Sequence, residues 1–166
     1  LTKYTPESAL NWHIIGQLQS NKVKYIIDKV VLIHSLDRIS LADEIEKQAE
    51  KHSLTAHCLI EINMGSELSK GGIDPDGLES FVDSLRGYRS ISVDGIMSVM
   101  PNVEIQPLIG YFRRFAKLFD LLKSMEGGNV SAKYASCGMT NDYAAAIEYG
   151  GSNMVRPGRV LFGARN

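Results

Sequence analysis

Residues 130–158 read VSAKYASCGMTNDYAAAIEYGGSNMVRPG, a strand, a helix and a strand in turn. Residues 130–136 form a β-rich run, 143–149 (YAAAIEY) a short helix and 154–156 a second strand, with turn residues between them. Strands joined through a helix lie parallel, and the crossover is right-handed. The same alternation extends outward. Strand candidates are 12–15 (WHII), 30–34 (VVLIH), 56–62 (AHCLIEI), 91–99 (ISVDGIMSV) and, near the end, 160–162 (VLF). Most are continuously apolar, as in the strands of a parallel sheet covered by helices.

Helix signals fill the gaps. Asp74 before Pro75 reads as an N-cap with a first-turn proline, and Leu78, Phe81, Val82 and Leu85 follow at i, i+3, i+4 and i+7. Ile105, Leu108, Ile109, Phe112, Phe115, Leu118, Phe119 and Leu122 carry the same spacing along a longer helix. Ser40 with Asp43 has capping-box style ahead of Ile45 and Ala49. Nothing interrupts the series, so residues 1–166 read as one domain. The order of elements suits either an open, doubly wound sheet or a closed barrel. No G-x-G-x-x-G follows a strand, which favours an α/β barrel of the (β/α)8 TIM type. Such a barrel takes about 250 residues, and six strand-helix units are visible, so the chain is expected to lack the first two β/α units. Its start at Leu1 rather than Met fits a processed, cut or partly represented chain.

Composition excludes several classes of function. The chain has 166 residues, with 18 Lys plus Arg against 19 Asp plus Glu, and this balance leaves no basic field for a nucleic-acid backbone. No apolar run approaches the roughly 20 residues of a membrane span, and the N-terminus lacks a signal layout. A cytoplasmic location is the expectation. Cys58 and Cys137 form no CxxC pair, and His34, His52 and His57 show no metal-ligand spacing, so neither a disulfide framework nor a metal is expected.

The site signal lies in the last third. The strand ending at Ser136 runs into Cys137-Gly138-Met139-Thr140-Asn141-Asp142, and the strand ending at Arg156 runs into Pro157-Gly158-Arg159. In a barrel these are the loops after the last two strands, where unpaired N–H groups and a helix dipole favour a phosphate. The competing reading makes Gly138 and Gly158 simple turn residues and Thr140 an N-cap. Arg156 ends a mostly apolar strand and must face either a structural carboxylate or a polar ligand atom. His13 ends the first visible strand and is a further pocket candidate beside an ordinary core role. Asp37 and Glu61 end strands as candidate catalytic carboxylates, with pairing to basic neighbours as the alternative. Cys137 reads as a small buried residue.

Residues 12–16 (WHIIG), Leu18-Gln19, Asn21-Lys22, Ser69-Lys70, Gly72, 95–97 (GIM), 136–142 and 156–165 (RPGRVLFGAR) together resemble the pyridoxal phosphate homeostasis proteins, which are similar to the N-terminal barrel of alanine racemase. The likeness runs in order over essentially the whole chain. It implies a single-domain barrel that binds pyridoxal 5′-phosphate and acts as a carrier or regulator of that cofactor, with no turnover reaction and no catalytic residue. The alternatives are an amino-acid racemase-like enzyme and a barrel binding another phosphorylated metabolite.

The resemblance places Thr140 in the phosphate loop with Gly138 and Met139 beside it, and has Gly158 and Arg159 donate backbone N–H groups to the same phosphate. Arg159 departs from the small hydroxyl residue common there. Arg156 faces the pyridine nitrogen, and Ser136 and His13 belong to the same cofactor site. Family members hold the cofactor on a lysine near the end of the first strand, which nothing here matches: Lys22 and Lys70 belong to other motifs, and Lys133 lies before its strand ends. Lys70 is a candidate pocket or secondary cofactor contact. The expected partners are this cofactor and an N-terminal segment or second chain completing the barrel, with neither nucleic acid nor membrane.

Overall fold

The computed structural model describes residues 10–65 and 71–163. Six strands, β1 (His13–Ile14), β2 (Leu32–Leu36), β3 (Ala56–Glu61), β4 (Ile91–Met97), β5 (Val130–Met139) and β6 (Met154–Arg156), form one sheet in the order β1-β2-β3-β4-β5-β6. Every neighbouring pair is parallel. Each crossover therefore advances one strand in the same direction, with no reversal of the kind that defines a doubly wound sheet.

Among the described residues five helices connect or follow the strands: α1 (Ile39–Lys51), α2 (Leu78–Leu85), α3 (Ile105–Ser124), α4 (Tyr143–Gly150) and α5 (Gly158–Phe162). A short 3-10 turn, Ser20–Tyr25, replaces a helix between β1 and β2, and its Val23 is buried. On α1 the buried positions Leu41, Ala42, Ile45, Gln48 and Ala49 form one stripe. On α3 the stripe runs through Leu108, Phe112, Phe115, Leu118, Phe119 and Leu122, while Ile105 in its first turn is exposed. These stripes pack on Ile33, Cys58, Ile60, Ile91, Val93, Ile96, Ala135 and Cys137, one face of the sheet. The opposite face carries a separate apolar cluster of Leu32, Leu59 and Met97, bordered by Val99, Tyr134 and Met154.

That second face is concave. β2 and β5 are three strands apart, which in a flat sheet means roughly 14 Å between backbones. Yet the side chains of His34 on β2 and Ser136 on β5 are hydrogen-bonded at 3.2 Å. The sheet must curl to bring them together, as the wall of a barrel does. Gly95 helps to set this curvature. It lies at φ +151° beside an irregularity in the β4–β5 register, and a Cβ there would sit 1.9 Å from the Tyr134 carbonyl oxygen, so only glycine allows the approach.

Three local expectations change. Residues 160–162 are helical in α5 rather than a strand, because Gly158 opens a turn of helix after Pro157 and a three-residue apolar run carries no period of its own. Ser40 and Asp43 form no capping box: α1 starts two residues earlier than that box requires, behind Arg38, and Asp43 instead accepts from the Tyr88 hydroxyl at 2.6 Å. β5 runs three residues past Ser136. The Asp74 cap is formed, with its carboxylate accepting from Asp76 N–H at 2.9 Å ahead of Pro75–Gly77 and α2. No helix among the described residues is long and apolar enough to cross a membrane. Lys70 lies outside the described residues.

Candidate functional site

Along the carboxyl-terminal rim of the concave face, strand ends bring polar side chains into one layer. Arg156, at the end of β6, donates from Nη1 to Ser136 Oγ at 2.6 Å and from Nη2 to the Ser98 carbonyl at 2.8 Å. Ser136 Oγ lies 3.2 Å from His34 Nδ1, and His34 Nε2 lies 3.0 Å from His13 Nδ1. The chain of bonds has a natural direction. A guanidinium only donates, so Ser136 accepts from it and can pass its own proton toward His34 Nδ1. His34 then donates from Nε2 to His13. His34 is fully buried, and burial, with His13 and the Arg156 charge beside it, pushes it down to about 3, so the imidazole is neutral. Burial lowers His13 as well.

Arg156 therefore meets a hydroxyl and a carbonyl instead of a carboxylate. Burial holds its guanidinium below the ordinary value, while Cys137, Asp142 and Glu61 push the other way. Glu61, at the end of β3, shares its surroundings and is pushed up to about 7 by burial and by Asp37, with Arg156 opposing. Asp37 is paired with Arg38 at 2.6 Å. Among the described residues Glu61 has no such partner, and its Oε2 makes no hydrogen bond.

Next to Arg156 the two glycine-bearing loops meet, through Arg159 N–H donating to Thr140 Oγ1 at 3.2 Å. Within the last residues of β5 lies Gly138, whose φ is +93° and whose added Cβ would lie 2.6 Å from that of Ala146. Glycine alone lets α4 pack this closely behind the loop. Thr140 is not a helix cap; Asp142 precedes α4, and its Oδ1 accepts from Met139 N–H at 2.5 Å. Gly158 opens α5, where the first-turn N–H groups have no intrahelical acceptor. The arrangement offers a hydroxyl and backbone N–H groups to an anion, with a buried cation one strand-end away.

Arg156, Ser136 and His13 thus fall in one bonded layer, and Gly138, Met139, Thr140, Gly158 and Arg159 in the two adjoining loops. His34 and Ser98 escaped the sequence reading. For His34 the one available signal was a polar residue in the otherwise apolar run VVLIH. Cys137 is buried, which pushes its thiol up to about 12, the environment of an inert core residue. His57 and Lys133 gather instead on Asp94, at 2.8 and 3.5 Å, toward the amino ends of the strands. Among the described residues no group of three or more His, Cys, Asp or Glu is placed to hold a metal ion.

The family model described as "Alanine racemase, N-terminal domain" matches residues 7–166. A pyridoxal phosphate homeostasis protein of Aquifex aeolicus is 44% identical over 160 residues, covering 94% of this chain and 68% of the relative. A solved structure of an unknown protein from Bifidobacterium adolescentis superposes with a TM-score of 0.85 at 32% identity, covering 92% of this chain and 60% of that one. PipY of Synechococcus elongatus, solved with PLP bound, gives 0.80 at 24% identity, covering 93% and 71%. The chain spans about two thirds of the length of the curated relatives it matches. With its helix-backed, sequentially ordered parallel sheet, the chain belongs to the alanine racemase N-terminal domain family, among the pyridoxal phosphate homeostasis proteins.

Proposed function

We propose that this chain binds pyridoxal 5′-phosphate at the strand-end rim and serves as a carrier or regulator of the cofactor in the cytoplasm. The observation that carries the reading is the meeting of the two rim loops at Thr140 and Arg159, with Arg156 beside them and, among the described residues, bound to no carboxylate. The relatives' name and the PLP-bound PipY structure support it.

In this reading the Thr140 hydroxyl and the N–H groups of Gly158 and Arg159 hold the phosphate, Arg159 N–H exchanging its bond to Thr140 Oγ1 for one to the ligand, and Gly138 lets the loop backbone come close. Met139 borders the group, its own N–H being engaged by Asp142. Arg156 faces the pyridine nitrogen, steadied by Ser136 and, through it, by His34 and His13. When bound, the cofactor supplies an electron-withdrawing ring and an aldehyde. A permanently cationic guanidinium disfavours protonation of the ring nitrogen and so weakens that electron sink, which suits keeping the cofactor over using it.

No lysine lines the rim cavity beside Glu61 among the described residues. The amine of Lys133 lies 3.5 Å from Asp94. The outer edges of β1 and β6 pair with no strand among the described residues. In the proposed arrangement the sheet is six-eighths of a (β/α)8 barrel, and an N-terminal segment or second chain supplies the rest.

Thermal-shift and absorbance titrations with pyridoxal phosphate beside simple sugar phosphates test the reading. Selective stabilisation by the former, lost in Arg156→Ala and Thr140→Ala, is the expected result. Equal response to sugar phosphates would redirect it to another phosphorylated ligand.

A further inference from the structure

Glu61 is 9% exposed, and its Oε2 has no hydrogen-bond partner among the described residues. A polar atom so placed is unusual in a folded protein, because leaving water without a replacement bond costs about 1–3 kcal/mol. The carboxyl faces a cavity of about 300 Å³ at the strand-end rim, lined by Ile15, Gly16, Gln17, Asn63, Gly71 and Val99. Gly71 closes down on this spot: a Cβ there would stand 3.2 Å from Glu61 Oε2 and 2.8 Å from Gln17 Nε2.

The charged groups acting on Glu61 are Asp37 and Arg156. The positive one is already engaged, since both Nη atoms of Arg156 are directed to Ser136 Oγ and the Ser98 carbonyl. The negative one adds to the field of Glu61, although Arg38 offsets part of it. A small cavity with an unpaired carboxylate oxygen, a second carboxylate acting on it and carboxamides in its wall has the chemistry to hold a small cation that can donate hydrogen bonds.

We infer that this cavity is a subsite for the primary ammonium group of a free amine or amino acid, with Glu61 Oε2 as its acceptor. The inference adjoins the cofactor reading, because Arg156, assigned there to the pyridine nitrogen, also acts on Glu61, but it uses no residue of the phosphate loops and is tested without the cofactor. Glu61 is a binding residue in this role. An ammonium group satisfies the orphaned oxygen with a charge-assisted bond and removes the cost of ionising a buried carboxyl. Binding must therefore strengthen as pH rises through the neutral range, when the carboxylate no longer has to be stripped of its proton first.

The test is NMR of the full chain without added cofactor, following the Glu61 side-chain carboxyl carbon and the amides of Gly16, Gly71 and Val99. Methylammonium, glycine and acetate are titrated at pH 6 and pH 8. Methylammonium and glycine should both move these resonances saturably, bind about tenfold more tightly at pH 8, and lower the pH midpoint of the Glu61 carbon. Acetate should do nothing. Glu61→Gln, which keeps the shape of the side chain, should abolish the response. If the variant fails to fold, the wild-type carboxyl carbon decides alone.

Movement with glycine but not with methylammonium would show recognition of the carboxylate and overturn the inference. So would movement with acetate, an unchanged response in Glu61→Gln, or no response to either amine. Failure here with pyridoxal phosphate binding intact would leave the cofactor reading standing.

Discussion

Arg156 at the end of β6 donates to the hydroxyl of Ser136 on β5 at 2.6 Å, and that hydroxyl also lies 3.2 Å from His34 Nδ1. One fully buried oxygen thereby fixes a guanidinium and an imidazole at once. Replacing it leaves both without that partner in a water-poor layer. Ser136→Ala is expected to lose about 1–3 kcal/mol of stability, measured by urea unfolding, and to weaken pyridoxal phosphate binding by about tenfold or more in an absorbance titration. Unchanged affinity at reduced stability would show that Arg156 holds its position through Ser98 alone.

Gly138 controls the neighbouring loop by a different route. A side chain at φ +93° is strained, and its first carbon would meet Ala146 at 2.6 Å. Gly138→Ala should cost about 1–3 kcal/mol from backbone strain alone, with crowding added, and should push α4 away from the loop. Reduced urea stability together with loss of phosphate-dependent stabilisation is the expected pair of results. A variant as stable as the parent would show that the loop has room to relax.

What could be read in the sequence was local. The apolar runs of β2 to β5 and the stripes of α2 and α3 stand out because each follows from periodicity, and Arg156 stands out as a charge at the end of an apolar strand. The partnership of His34 with Ser136 does not, since it joins residues 102 apart and exists because the sheet curls. The extension of β5 was hidden by Gly138, which reads as a turn but serves close packing. Residues 160–162 looked like a strand because Val, Leu and Phe suit one, yet in α5 all three side chains are exposed. The orphaned oxygen of Glu61 was out of reach too: it depends on where Arg156, the nearby cation, spends its hydrogen bonds.

Asp94 tests whether the two ends of the concave face act separately. Its buried carboxylate receives Ser92 Oγ at 2.5 Å and His57 Nδ1 at 2.8 Å, with Lys133 at 3.5 Å. Among the described residues none of these partners bonds to the rim loops, although His13 of the bonded layer borders the same cavity as Asp94, His57 and Lys133, and in barrels the amino-terminal end serves stability more than function. Asp94→Asn should lower stability by about 1–3 kcal/mol and leave the pyridoxal phosphate dissociation constant within about twofold. A large loss of affinity at this distance would mean that the layers of the concave face are coupled.

The buried layer also sets a pH signature, because His34 and Glu61 are displaced in opposite senses. His34 falls from 6.5 to about 3 on folding, so between those values the unfolded chain binds the extra proton and stability rises with pH. Its contribution is complete above about 6.5 and is lost as pH falls toward 3. Glu61 rises from 4.5 to about 7, so the folded chain binds the extra proton, and the Glu61 contribution is complete below 4.5 and lost as pH rises through 7. The two slopes oppose each other between 4.5 and 6.5 and together leave a plateau. In Glu61→Gln the falling limb is gone, and the His34 limb should climb unopposed to about pH 6.5. The difference in unfolding free energy between parent and variant, taken across pH 4 to 8, cancels the other titrating groups. It should be constant below about 4.5 and move in favour of the variant up to about 7. A difference that does not depend on pH would mean that the Glu61 carboxyl finds water in the folded chain.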